Sequence, residues 1–172
     1  MTGSFDLSAG SLGLEAPATL TWSGTLAGVN LQEVDSTDTT FTAVDPTGSG
    51  AGWEVTAEST QFTGTSSSSN KLPTTALTLN GSTSSESATT APTNGCVGSN
   101  TCTAATDSVS GYPLTISTSS ATPIYEAAVS TGLGAIVIGG GADPAAWWVS
   151  VPANAVPDTY TSTITLTITS GP

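Results

Sequence analysis

Acidic side chains are the most numerous groups in this sequence that could act as acids or bases. There are 13 of them, His is absent, and Lys71 is the sole Lys or Arg. General acid–base and nucleophilic catalysis both need a base beside the reacting group. The pairs Glu54 with Glu58 and Asp35 with Asp38 have the residue types that glycoside hydrolysis uses. Glu54 and Glu58 fall on the polar face of a predicted strand, where solvation is their ordinary role, so the sequence predicts a protein that is not an enzyme.

The same carboxylates suit calcium better than a transition metal, because they are hard oxygen ligands. No Asp-rich loop repeats with calcium-ligand spacing, so we expect no metal and no cofactor, with calcium as the alternative. The Gly-rich run 139–144 is superficially similar to a phosphate-binding loop. It lacks a following Lys-Ser/Thr pair and a helical pattern, which favours a flexible turn before Trp147.

The two cysteines, Cys96 and Cys102, lie close together in a Gly-, Asn- and Thr-rich stretch. This spacing predicts a short disulfide-closed loop, and the alternative is two free thiols. A zinc site would need two further good ligands, and there is no His to supply one. A disulfide fits an extracellular protein, since oxidising compartments preserve such bonds.

The sequence has four tryptophans, and one that faces outward could bind a sugar or a protein partner. Trp22 is predicted at the edge of the core, and Trp53 follows a Gly-rich turn. Trp147 and Trp148 are neighbours on a predicted strand, so their side chains point to opposite faces. We expect one of this pair to be buried and the other to face outward, where it could stack on sugar rings or contact a protein. The alternative is that the outward-pointing indole packs under a long loop.

The net charge of −12 limits the classes of partner. Binding to nucleic acid relies on clustered Lys and Arg, which this chain lacks. Attachment to an anionic membrane surface is disfavoured for the same reason. No apolar run reaches the length of about 20 residues that spans a bilayer. The first residues lack the pattern of a signal peptide, and we expect that Met1 replaces a removed leader of an extracellular protein.

A period of two in the apolar residues predicts the elements that must position these side chains. Residues 160–169 alternate apolar and hydroxyl side chains without interruption, which is typical of a half-buried strand. Many short strands separated by Gly- and Pro-containing turns predict an all-β fold, an antiparallel β-sandwich or sandwich-like barrel with long Ser/Thr/Gly-rich loops. We expect one domain over residues 1–172.

Four local features give more specific expectations. Residues 20–26 alternate like a strand, and residues 39–45 and 53–58 flank a Gly-rich turn as in a hairpin. The polar stretch 80–107, which carries the sequon Asn80-Gly81-Ser82, is predicted to be a long loop. Tyr160 begins a strand after a Pro-containing corner, where such a Tyr packs in the core with its hydroxyl bonded to the corner backbone.

Two segments of this chain resemble the WxL domain of Gram-positive surface proteins. They are the Gly-rich turn that leads into Trp53-Glu54-Val55, and the ending from Val151 through the last strand. The first Trp-x-Leu motif has Val in place of Leu here. The second motif corresponds to Leu166-Thr167-Ile168 and has no Trp. The resemblance covers most of the chain and implies a β-sandwich at the cell surface that is attached non-covalently to peptidoglycan.

These observations lead to three functional hypotheses. The first is a secreted, non-catalytic surface protein that associates with the envelope through a cell-wall polysaccharide or another surface protein, with Trp53, Trp147 and Trp148 as candidate glycan-binding residues. The second is a self-assembling fibre or surface-layer subunit, in which an N-terminal strand carrying Phe5 and Leu7 adds to the sheet edge of a neighbour. The third is a carbohydrate-binding module.

Overall fold

A computed structural model describes residues 4–35, 37 and 39–171. Within this part of the chain the secondary structure is entirely β, as the period-two patterns predict. The strands are β1 (Gly13–Glu15), β2 (Leu31–Val34), β3 (Phe41–Asp45), β4 (Trp53–Ser59), β5 (Thr63–Gly64), β6 (Leu77–Asn80), β7 (Asn94–Cys96), β8 (Leu114–Thr115), β9 (Thr122–Ala127), β10 (Gly134–Ile138), β11 (Ala146–Val151), β12 (Tyr160–Thr161) and β13 (Ile164–Ser170).

The strands form antiparallel sheets that pack against one another as a β-sandwich. Sheet 1 has the order β1-β3-β10-β7, sheet 2 the order β2-β11-β6-β8, and sheet 3 the order β13-β4-β9. A small fourth sheet pairs β12 with β5. Strands that are adjacent in a sheet are mostly distant in sequence, so most stabilising contacts are long-range.

The core is built from the inward positions of these sheets. In β4, Trp53, Val55 and Ala57 are all fully buried while the residues between them are more exposed. Tyr125 of β9 stacks on Trp53 with 6.3 Å between ring centroids, and Phe41 of β3 meets Tyr125 edge-on at 6.4 Å. Burial of one large apolar side chain contributes roughly 1.5–3 kcal/mol, so this aromatic cluster is a major source of stability.

The predicted hairpin over residues 39–58 is wrong. β3 pairs with β1 and β10 in sheet 1, whereas β4 pairs with β9 and β13 in sheet 3. The connection between them has Gly48, Gly50 and Gly52 at positive φ. An added Cβ at Gly52 would lie 2.2 Å from the carbonyl oxygen of Ala127, so only Gly fits where the chain crosses between sheets.

Two other predicted strands differ from the structure. Residues 20–26 form no strand, although Leu20, Trp22 and Leu26 all turn towards the body of the protein. The predicted strand 160–169 is divided, because residues 160–161 pair with β5 and residues 164–170 pair with β4. The bend at residues 162–163 lets one segment contribute to two sheets.

The long polar excursion after β6 is tied down at several points. It contains β7, which pairs with β10, and the predicted disulfide between Cys96 and Cys102 is confirmed. The Asn94 amide nitrogen donates to Tyr125 Oη at 2.7 Å and to the Ala105 carbonyl oxygen at 3.1 Å. The excursion is therefore a covering layer of the sandwich rather than a free loop.

Candidate functional site

The first motif tryptophan, Trp53, is a core residue. Its indole N–H donates to the Gly132 carbonyl at 2.9 Å, and the side chain has no exposed surface. A Cβ at Gly132, whose φ is +70°, would lie 2.6 Å from Trp53 Nε1, so this contact also requires a glycine. The prediction that Trp53 presents a sugar-binding face is wrong, because sheet 3 and the 127–132 turn enclose the ring.

Trp147 and Trp148 point to opposite faces of sheet 2, but both are buried, at 3% and 5% exposure. The Trp148 indole N–H donates to the Ser82 carbonyl at 2.9 Å and lies 3.2 Å from Asn80 Oδ1. The expectation that one of the pair faces outward to stack on sugars is therefore wrong. The alternative, that the second indole packs under a long loop, is what the structure has, because the chain after β6 folds back over it.

Asn80 of the sequon organises that covering loop. Its amide nitrogen donates to the carbonyls of Ser85 (2.9 Å) and Glu86 (2.7 Å), and its oxygen accepts from Ser82 N at 2.8 Å. The side chain is fully buried. Both N–H groups are engaged inside the protein, so in the folded state this side chain is a structural hub and is inaccessible to modification.

The two motif positions lie side by side in sheet 3. In the register of β13 on β4, Ile168 faces Val55 and Leu166 faces Ala57. Leu166, where the family's second Trp would stand, is half-buried and packs against the core. The apolar residues of the second motif, Leu166 and Ile168, therefore lie on the inner face of the edge strand β13 and are partly buried.

A groove on one side of the sandwich offers the half-exposed aromatic surface that the buried tryptophans lack. We call it the Trp22 groove; it has a volume of about 780 Å³, and its apolar walls include Trp22, Phe62, Leu72, Val149, Val151 and Tyr160. The indole N–H of Trp22 donates to the Trp147 carbonyl at 2.9 Å, and Phe62 meets the ring edge-on at 5.8 Å. These two contacts fix the orientation of a ring that is only half-buried.

Residues 20–26, which we call the strap, form one wall of this groove. The buried carboxylate of Asp35 holds the strap in place. Asp35 accepts hydrogen bonds from the backbone N–H of Thr21 and from the backbone and hydroxyl of Thr37. Asp38, its partner in the predicted carboxylate pair, lies outside the described residues. The contacts of Asp35 give it a structural role, because they anchor the chain next to Trp22.

The opposite wall of the groove is a Pro-containing corner. The hydroxyl of Tyr160 donates to the Val156 carbonyl at 2.6 Å, which is the bond expected of a Tyr at such a corner. Asp158 accepts from Asn70 Nδ2 (2.8 Å), Ser66 N (3.1 Å) and Thr159 N (2.8 Å). These hydrogen bonds, that from Asn70 first, lower the pKa of Asp158 and keep it charged.

Hydroxyl side chains line the rim of the groove. They come from the strap and from the segment that enters β13. Among the described residues of the lining, Glu33 and Asp158 carry carboxylates. The rim residues are Thr21, Ser23, Thr25, Thr159, Thr161 and Ser162. Apolar and aromatic walls under a rim of neutral hydrogen-bonding groups suit a ligand that has both apolar faces and hydroxyl groups.

Three other carboxylates, those of Glu54, Asp107 and Glu126, form a separate cluster on sheet 3. Glu54 of β4 lies directly opposite Glu126 of β9. Desolvation, and then the hydrogen bond and repulsion from Glu126, raise the pKa of Glu54. Burial raises the pKa of Asp107, although backbone N–H groups of Glu126 and Val109 oppose this shift. Glu58 is exposed four residues further along β4 and faces Thr165, so it is not paired with Glu54.

In the part of the chain that the structure describes, no three His, Cys, Asp or Glu side chains are grouped so as to hold a metal ion. Within the same residues, no helix is long and apolar enough to cross a bilayer.

Sequence reasoning missed several residues of the groove. Phe62 and Leu72 lie outside the predicted strands, yet both are buried. Phe62 is the only large apolar side chain between residues 59 and 71, which was the available signal. Nothing in the local sequence indicated that Asp158 would hold three partners from residues 66, 70 and 159.

Comparison with known proteins gives one family. Residues 18–172 match the family described as "WxL domain surface cell wall-binding". A search of the curated proteins found no match to this chain. The match covers most of the chain, agrees with the resemblance carried by the Trp53 motif and the C-terminal strand, and places the protein at the cell surface in association with the envelope. The chain belongs to the WxL family of surface cell-wall-binding domains.

Proposed function

We propose that this protein is a non-catalytic surface protein that attaches to the cell wall by binding a glycan strand in the Trp22 groove. The observation that carries the proposal is Trp22 itself, a half-buried indole whose orientation is fixed by Trp147 and Phe62. A rigid aromatic ring at the wall of a groove can stack on the apolar face of a sugar ring at little entropic cost.

The chemistry of the rim supports a glycan over an apolar ligand. Hydroxyl groups of Ser and Thr both donate and accept hydrogen bonds, and so they can match sugar hydroxyls in several orientations. Trp53, Trp147 and Trp148 are buried, which leaves Trp22 as the tryptophan that a sugar could reach.

The charge of the protein narrows the class of wall polymer. A net charge of −12 repels polyanions at moderate ionic strength. We therefore propose that the ligand is a neutral or zwitterionic strand, such as the peptidoglycan backbone with its peptide stems, rather than an anionic wall polymer. Its attachment is non-covalent.

The test is a sedimentation assay with purified cell walls, purified peptidoglycan and anionic wall polymer as separate samples. Wild-type protein is expected to sediment with walls and peptidoglycan. Trp22→Ala should lower the bound fraction about tenfold, since buried aromatic contacts commonly dominate a binding site. Val29→Ala is the matched control, because Val29 is 59% exposed and lies outside the groove lining.

A fluorescence measurement on the unmodified protein removes the dependence on a variant that could misfold. A soluble quencher should reach Trp22 more readily than the three buried indoles, and soluble peptidoglycan fragments should protect it. The proposal fails if the intact protein stays in solution with walls and peptidoglycan, or if bound fragments leave the quenching of Trp22 unchanged.

A further inference from the structure

The outer edge of β13 has backbone groups to which no described strand is hydrogen-bonded. Backbone bonds run from Thr60 N to the Thr163 carbonyl (2.9 Å) and from Gly171 N to the Gly52 carbonyl (3.0 Å). In the antiparallel register of β13 on β4, the bonded positions are therefore the odd-numbered residues. The N–H and C=O groups of Ile164, Leu166 and Ile168 point away from β4, and among the described residues they make no backbone hydrogen bond.

This edge also lacks the features that usually protect an exposed strand. Between residues 159 and 171 there is no charged residue and no proline. Natural sheets place charges, prolines or bulges at their edges, because an unprotected edge pairs with other chains. A seven-residue edge strand without any of these devices is therefore suited to receive another strand.

A slot beside the edge can accept the side chains of an added strand. We call it the β13 slot; it has a volume of about 620 Å³ and lies between β13 and residues 14–20. Its apolar lining includes Leu14, Trp147, Ile164, Leu166 and Ile168, and none of the described residues that line it is charged. The inward side chains of β13 are only half-buried, so an apolar residue in the slot would complete their burial.

The N-terminal segment of the chain has the pattern that such a slot requires. Phe5 and Leu7 are each 85% exposed and are separated by Asp6. Residues 4–9 form no strand, and among the described residues the first backbone bond in this region runs from Gly10 N to the Pro46 carbonyl at 3.0 Å. Among the described residues, Phe5 and Leu7 are the only large exposed apolar side chains that are two positions apart, as on one face of a strand.

We infer that residues 4–9 of one copy add as a strand to the free β13 edge of a second copy, with Phe5 and Leu7 in the β13 slot. Six extended residues span about 20 Å, which covers the positions from Ile164 to Ile168. Residues directly opposite one another in a sheet share a face, so a segment bonded to these three residues would direct Phe5 and Leu7 inwards.

The contact joins different surfaces of the two copies. Each copy contributes residues 4–9 to one neighbour and its β13 edge to another, so the contact is head-to-tail and extends into open chains unless it closes into a ring. Two copies with a net charge of −12 repel each other. Because the slot itself is uncharged, added salt should screen this repulsion and strengthen the association.

Sedimentation analysis of the full chain tests the inference. The mean mass of the intact protein should rise with protein concentration and with salt, and electron microscopy should show linear chains. Phe5→Ser with Leu7→Ser should weaken association about tenfold or more. The melting temperature of the dilute protein should stay unchanged, because neither side chain is buried in a single copy. Val29→Ser with Val129→Ser is the matched control, which removes two exposed apolar side chains elsewhere.

Engineered cysteines locate the contact. A mixture of the Leu7→Cys protein and the Leu166→Cys protein should form a disulfide-linked pair under mild oxidation, since opposed residues in a sheet lie within reach of a disulfide. A mixture of the Leu7→Cys protein and the Val129→Cys protein should form no such disulfide-linked pair. The double variant Leu7→Cys/Leu166→Cys should likewise link between chains.

Three results would overturn the inference. The first is an intact protein that stays monomeric at every concentration and salt level. The second is a Phe5→Ser/Leu7→Ser variant that associates as well as its control. The third is a disulfide formed within single chains of the double variant, which would mean that each N-terminal segment occupies its own slot. None of these results bears on wall binding, which the sedimentation assay with walls measures separately.

Discussion

Glu54 of β4 and Glu126 of β9 lie directly opposite each other, so two carboxyl groups share one face of sheet 3. Asp107 approaches the same site, because its side chain accepts a bond from the Glu126 backbone N–H at 3.0 Å. Opposed like charges destabilise a sheet. The cluster therefore makes the stability of the sandwich depend on pH.

The first prediction is that Glu54→Gln stabilises the protein at neutral pH, by about 0.5 kcal/mol for a solvent-screened cross-strand pair. The pKa of Glu54 is raised in the folded state, so the folded protein takes up a proton at a higher pH than the unfolded chain does. Stability should thus increase as pH falls from neutral towards about 4.5, the usual range of a glutamate pKa.

Urea unfolding at several pH values measures this effect. The free energy of unfolding of Glu54→Gln should depend less on pH than that of wild type over the weakly acidic range. Glu58→Gln is the control, since Glu58 is on the same strand but faces Thr165. Equal pH profiles for Glu54→Gln and wild type would contradict the prediction.

The second prediction concerns the acid side of the profile. The pKa of Asp158 is lowered by its bonds to Asn70, Ser66 and Thr159. The stability that Asp158 contributes is therefore present above its usual pKa of about 4 and is lost as pH falls further. Asp158→Ala should lower the melting temperature at pH 7. It should also make the fall of the melting temperature between pH 7 and pH 3 smaller than in wild type. Calorimetry at pH 7 and pH 3 checks this, with Asp6→Ala as an exposed-carboxylate control. A larger fall of the melting temperature between pH 7 and pH 3 in Asp158→Ala than in wild type would contradict the prediction.

The third prediction is that Asn80→Asp destabilises the fold by about 2 to 4 kcal/mol, because the charged oxygen would face the carbonyls of Ser85 and Glu86 in a buried site. Ser82→Ala also removes the sequon but leaves the Asn80 contacts in place, so it should cost far less. Denaturant unfolding measures both variants. Similar losses for the two variants would show that Asn80 is not the hub of the loop.

The fourth prediction concerns the disulfide. Replacing Cys96 and Cys102 with Ser should lower stability by about 2 kcal/mol, the amount expected for so short a closed loop. The fold should persist, because Asn94 and the pairing of β7 with β10 still hold the excursion. Hydrogen exchange should increase mainly in residues 97–103. Faster exchange throughout sheet 1 would instead mean that the disulfide is essential to the whole sheet.

Much of the fold could be predicted from local patterns. A period of two in the apolar residues indicates a strand and identifies its inward face, as it does for Trp53, Val55 and Ala57 of β4. The spacing of Cys96 and Cys102 indicated the short disulfide, and the motif around Trp53 with the C-terminal strand indicated the WxL family.

The pairing of strands could not be predicted in this way. Periodicity records which face of a strand is buried but carries no information about its neighbour, so β3 and β4 resembled a hairpin although they belong to different sheets. Residues 20–26 likewise alternate because one side covers the core, without any strand beside them.

Local patterns in the chain are therefore enough to establish the class of fold, the inward faces of the strands and the disulfide. Which tryptophan is accessible depends instead on contacts between segments that are distant in the sequence. Trp148 is buried because the distant Asn80 hub folds a loop over it, whereas Trp22 stays half-exposed because the strap held by Asp35 leaves a groove beside it. Whether a side chain is buried depends on which distant segments of the chain pack over it. The residues next to it in the sequence do not show which segments these are.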